Sequence, residues 1–100
     1  MLFGVVLHTE RADADFARVD GGYWVGSADF KSFPHDPPLS DDGIHVAKKV
    51  AQRITAFAQD HDSCFHVVMT SPLKRCVQTA LEIRFALGQG WEVSCSIQTL

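Results

Sequence analysis

No stretch of this sequence approaches the roughly 18 consecutive apolar residues that a membrane-spanning helix needs. The opening MLFGVVL turns polar at His8 and has no basic residue before it, which is too short and wrongly flanked for a secretory leader. Cysteine is sparse: Cys64, Cys76 and Cys95 are odd in number, far apart and form no C-x-x-C pair. A disulfide framework is thereby excluded, and the three read as small core residues. His61, Cys64 and His66 crowd together in HDSCFH, but a structural zinc site takes four ligands from paired short spacings and no fourth follows. No metal and no cofactor is therefore expected. Basic excess is missing as well. A net charge of -3 and a pI near 5.9 offer no surface for nucleic acid or for an anionic membrane. There is no internal repeat and no low-complexity tract. The expectation is a cytoplasmic chain with neither nucleic acid nor membrane as a partner.

What is present fits one compact domain over residues 1–100, with 46% hydrophobic and 21% charged residues. A chain this short buries only about 60 to 70% of its unfolded surface, so its core is small. LFGVVLH, residues 2–8, reads as a strand buried on both faces, hence central and parallel. Residues 10–39 hold DGGYWVG, FPHDPPLS and three of the four prolines, the signature of a long, mainly irregular and exposed loop. From Ser40 onward Ile44, Ala47, Ala51, Ile54, Phe57 and Ala58 recur at helical spacing. Ser40 is the cap, and Asp41 and Asp42 suit the positive end of the dipole. FHVVMT follows as a strand. SPLKRCVQTALEIRFALG reads as a helix with Ser71 as cap, Pro72 at its first position and Gly88 as terminator. WEVSCSIQ closes as an alternating strand. This order belongs to an α/β domain whose parallel strands are joined by helical crossovers. Ligands in such sheets collect at the carboxyl edge, which brings HTER after the first strand and TSPLKR after the second into one crevice.

Arg75 falls in the first turn of its helix with Lys74 beside it. Cations there oppose the helix dipole at a cost of about 0.3 to 1 kcal/mol. Either the side chain points to solvent, or an anion reverses the sign: free N–H groups, the dipole and a guanidinium fork together suit a phosphate. His8 at a strand end is likewise either a hydrogen-bonded structural residue or a reactive imidazole, and Arg11 with Glu10 is either a surface ion pair or part of the same site.

LHTERAD, DPPLSDDG and TSPLKRCVQTALEI together resemble the histidine phosphatase superfamily, also called phosphoglycerate-mutase-like, and within it the tyrosine-phosphatase-like branch with a His-Gly-Glu-Arg start. The resemblance covers residues 3–88. It implies a partial three-layer phosphoglycerate-mutase-like fold, α/β with a mainly parallel sheet flanked by helices and lacking the family's C-terminal half. By position it implies His8 as the nucleophile that forms a phosphohistidine, and Arg75 and Arg11 as phosphate-binding arginines. Thr9, Glu10, Asp36 and Ser40 would line the site, with Asp36, Pro38, Leu39, Ser40 and Gly43 in positional roles. The implied partner is a phosphorylated small molecule or a phosphoprotein.

The match departs from the family at two positions. Leu7 stands where the family has arginine, and losing one charged phosphate contact forfeits about 1.5 to 3 kcal/mol, roughly ten- to hundredfold in transition-state binding. Thr9 replaces a glycine and adds a side chain beside the phosphate. The chain ends at Leu100, about where the family's proton-donating carboxylate is expected and before its second histidine. An uncovered sheet edge follows from that, and with it self-association. Three readings stay open: a phosphomonoesterase, either a fragment of an active enzyme or an impaired one; a catalytically inactive phosphate-binding or protein-interaction domain (a pseudoenzyme); and an unrelated module that binds partners through GGYWVGSADFKSF.

Overall fold

The computed structural model describes residues 6, 8–61, 65, 67–88 and 96–99. In chain order these form a 3₁₀ turn at Trp24–Gly26 and then α1 (Ala28–Ser32), α2 (Asp41–Asp60), β1 (Val67–Thr70), α3 (Lys74–Gly88) and β2 (Ser96–Thr99). The strand expected over residues 2–8 lies, apart from Val6 and His8, outside the described residues; so do residues 91–95, Leu7, Cys64 and His66.

β1 and β2 pair in parallel, with Val67 opposite Ser96 and Thr70 opposite Thr99. A parallel pair cannot be closed by a tight turn and needs a crossover. α3 is that crossover, and it packs on both strands. Strand side chains alternate between faces. Val68 and Thr70 lie on the covered face, opposite Ile97 and Thr99, whereas Val67 and Met69 remain 45% and 62% exposed on the other. The result is an α/β arrangement, a two-stranded parallel sheet flanked by helices.

Ser40 caps α2 as expected: its backbone is extended and its Oγ accepts from the Gly43 N–H at 2.9 Å. The buried stripe of α2 is made of small residues, Gly43, Ala47, Ala51 and Ala58. It packs against α3, whose own buried residues are Thr79, Ala80 and Ile83. Phe57, expected on that face, sits about 100° round the helix from Ala58. It is half exposed and stacks on His61, ring centroids 4.0 Å apart, at the helix end.

The stretch 10–39 is mainly irregular and exposed, as its prolines suggest, but it carries a buried minority. Ala12, Ala17, Trp24, Pro37, Pro38 and Leu39 are buried, and Trp24 meets Phe30 edge to face at 6.0 Å. Ser27 organises this corner. Its Oγ accepts from the Phe30 N–H at 3.2 Å to cap α1 and donates to the Trp24 carbonyl at 2.7 Å. Val19 and Gly22 exchange backbone hydrogen bonds around Asp20 and Gly21, at φ 52° and 78°, the pair of positive φ values that a type I′ hairpin turn requires. The Asp41 carboxylate accepts both turn N–H groups, from Asp20 at 2.8 Å and Gly21 at 3.0 Å, while the Asp41 N–H donates to the Arg18 carbonyl. A proline lacks a donor but keeps its carbonyl and an apolar ring. Pro38 uses both, buried and accepting from the Ala12 N–H at 2.8 Å. Among the described residues no helix is long and apolar enough to cross a membrane.

Leu39 is 0% exposed. Leu39→Ala is expected to lower stability by about 2 to 5 kcal/mol through lost transfer energy and the cavity left behind, read as a lower urea midpoint at an unchanged slope.

Candidate functional site

Residues 8–12 run beside residues 38–40: Arg11 bridges Leu39 in antiparallel sense, the Ala12 N–H donates to the Pro38 carbonyl at 2.8 Å, and the Ser40 N–H donates to the Glu10 carbonyl at 2.9 Å. The far side of the same strap is tied to α3. The Lys74 N–H donates to Asp36 Oδ1 at 3.0 Å and the Leu39 N–H to Gln78 Oε1 at 2.7 Å. Residues 36–40 therefore lie between the His8 segment and the first turns of α3, just past the carboxyl end of β1. HTER and the start of α3 each bond to this strap. Gln78, which anchors the strap, carried no signal in the sequence.

The start of α3 differs from expectation. The helix begins at Lys74, not at Pro72, with the Leu73 carbonyl accepting from Cys76 and Val77 at 3.0 Å each. Ser71 Oγ accepts from the Leu73 N–H at 3.3 Å in a local turn, and the helix is capped from across the chain by Asp36. Two N–H groups at this end are thus already bonded, and the Asp36 carboxylate balances the dipole. The expected phosphate seat of free N–H groups is reduced to the guanidinium. Lys74 pairs with Asp29 of α1 at 3.2 Å, an exposed pair that contributes little.

Arg75 is different. It is half-buried, and its Nε and Nη1 are buried without any hydrogen-bond partner. A guanidinium stays charged, and an unsatisfied buried donor costs about 1 to 3 kcal/mol, more when charged. The chemistry that relieves this is an anion with several acceptor oxygens, matched to a planar fork of donors.

His8 is half-buried, with Nδ1 2.8 Å from the Thr9 carbonyl. A carbonyl only accepts, so Nδ1 carries the proton and the neutral ring keeps its lone pair on Nε2. Thr9 Oγ1 donates to the Gly43 carbonyl, turning its hydroxyl towards α2. Glu10 is exposed, and its Oε1 accepts from Ser40 Oγ at 2.6 Å. Arg11 is not drawn to the others: its Nε and Nη2 hold both oxygens of Asp13 at 2.9 and 2.8 Å. No cluster of metal-ligating side chains occurs among the described residues.

A family model of the histidine phosphatase superfamily (branch 1) matches residues 29–98, a span that takes in the strap, β1 and the whole of α3 with Arg75. The chain belongs to this superfamily. No curated protein matches it. The two-stranded parallel sheet with its flanking helices is accordingly a partial histidine phosphatase fold, and the membership supports a phosphatase-like or phosphate-binding role. His8 and Arg11 precede the matched residues, so within the histidine phosphatase match Arg75 is the side chain with unmet demand for an anion.

Asp36→Ala removes the cap of α3 and is expected to cost about 0.5 to 2 kcal/mol. Asp36→Asn keeps an acceptor at the same place and should retain most of that stability. Paired urea titrations of the two variants check the difference.

Proposed function

We propose that this superfamily member binds the phosphoryl group of a phosphomonoester through Arg75 and transfers it to His8. The substrate is a phosphorylated small molecule or a phosphoprotein. Nε2 attacks phosphorus as the ester P–O bond breaks. The leaving oxygen departs as an anion and takes its proton from water; a water molecule then attacks phosphorus, the P–N bond breaks, and inorganic phosphate and free His8 are released. The observation that carries this reading is the pair of buried, unpartnered donors on Arg75, sited in the first turn of the helix that follows β1. Phosphoryl transfer asks the protein for little beyond an in-line nucleophile and balanced charge on the equatorial oxygens. An imidazole with its lone pair on Nε2 supplies the nucleophile.

A second reading, binding without turnover, is favoured by two residues. Leu7 stands where the family's motif has arginine, and Arg11 is held by Asp13. With Arg75 as the free guanidinium, transition-state stabilisation falls short by one charged contact, about 1.5 to 3 kcal/mol.

Inorganic phosphate or vanadate is expected to raise the melting temperature; ligand at a hundred times its dissociation constant contributes about 2.7 kcal/mol. Arg75→Ala should abolish the shift, and Lys74→Ala should diminish it less because lysine offers only a point charge. No shift in the unaltered chain above millimolar phosphate would remove both readings. Turnover of p-nitrophenyl phosphate that disappears in His8→Ala would establish the phosphotransfer reading. A phosphate shift with equal background turnover in both proteins would leave binding alone.

A further inference from the structure

The contacts between α2 and the His8 segment are denser than packing alone requires, and they converge on one peptide unit. Thr9 Oγ1 donates to the Gly43 carbonyl, the Glu10 carbonyl accepts from the Ser40 N–H at 2.9 Å, and Glu10 Oε1 accepts from Ser40 Oγ at 2.6 Å. These bonds grip the chain on both sides of the peptide joining Thr9 to Glu10. The carbonyl of that peptide is the acceptor for His8 Nδ1 at 2.8 Å. Gly43 lets the two chains approach this closely. A Cβ built there would run into the Glu10 carbonyl oxygen and would stand 3.1 Å from both Ser40 Oγ and Thr9 Oγ1. Ser40 is 0% exposed, so its Oγ has no room to give.

We infer that the first turn of α2, Ser40 to Gly43, together with Thr9, positions the His8 imidazole by fixing the orientation of the Thr9 carbonyl and with it the tautomer that leaves Nε2 unprotonated. Ser40, Gly43 and Thr9 are positioning residues; none touches phosphorus. The inference deepens the phosphotransfer reading, since a free Nε2 lone pair matters only if His8 is the nucleophile. A side chain at position 43 would push Glu10 outward, turn the Thr9–Glu10 peptide and withdraw the acceptor from Nδ1. The ring would then sample both tautomers and other rotations. The anion seat at Arg75 would be unaffected, because Asp36 and Leu39 tie the strap to α3 independently of Gly43.

The test uses ¹⁵N-labelled full chain and compares unaltered protein with Gly43→Ala, Thr9→Val and Thr9→Ser. Long-range ¹H–¹⁵N spectra of the histidine rings, assigned through His8→Ala, report which nitrogen of His8 carries the proton. The expected result is a predominantly Nδ1-protonated His8 in the unaltered chain and in Thr9→Ser. In Gly43→Ala and Thr9→Val the Nδ1–H to Nε2–H ratio should fall about two- to tenfold, the value of one hydrogen bond. The melting shift with inorganic phosphate should persist in all four proteins. Should Gly43→Ala fail to fold, Thr9→Val carries the comparison, because it loses one hydroxyl without a clash. A folded variant, Thr9→Val included, whose His8 nitrogen signals match those of the unaltered chain would overturn the inference. Absent turnover of p-nitrophenyl phosphate in the unaltered chain would count against the nucleophile reading alone, since the ring spectra do not depend on activity.

Discussion

A single buried hydroxyl, that of Ser40, holds the molecule's working parts in register. It accepts from the Gly43 N–H and donates to Glu10, while the Ser40 backbone N–H bonds the Glu10 carbonyl. Helix start, strap and His8 segment therefore share one residue with no exposed surface. An isolated N-cap is a local device that stabilises its own helix. Here the same group has a second partner 30 residues earlier. The geometry of α2 and the geometry of His8 cannot change separately.

The electrostatics of the site follow from how charges are already spent. Asp36 serves the N-terminus of α3, Asp29 holds Lys74, Asp13 holds Arg11, and Asp41 holds the turn at Asp20 and Gly21. Each carboxylate quenches a donor that would otherwise attract a free anion. Arg75 is left with buried donors and no carboxylate. In the proposed anion seat, selectivity would come as much from neutralising the neighbours as from the arginine itself, since a field shared among several free cations would recruit any counter-ion.

Much of the fold was legible in the sequence because the signals were local and periodic. Ser40 followed by two aspartates marked the start of α2, VVMT marked a strand, and Gly88 marked the end of α3. The misread start of α3 has its cause in a partner distant along the chain. Ser71 and Pro72 looked like a helix start because nothing local revealed that Asp36 would cap Lys74. Residues 10–39 are mainly irregular and exposed, as read, with a buried minority, Trp24, Leu39 and the two adjacent prolines among them, that composition did not single out. One local signal was present: Asp20-Gly21 is a strong hairpin dipeptide, outweighed by the surrounding glycines and prolines. The free donors of Arg75 could not be read from sequence. A cation in a helix's first turn is equally compatible with solvent, and only the surroundings decide.

The capping of α3 bears on how the chain reaches this state. Its cap lies 38 residues upstream and the Leu39–Gln78 bond spans 39, so the helix begins without a local stop for its orphan N–H groups. A 15-residue helix is marginal in water when isolated, and closing a loop of that length costs entropy before it returns any contact. The start of α3 and the placement of the strap are therefore coupled along the folding route. Any condition that frays the first turn of α3 would return the Arg75 guanidinium to water and remove the proposed anion seat while leaving most of the secondary structure intact.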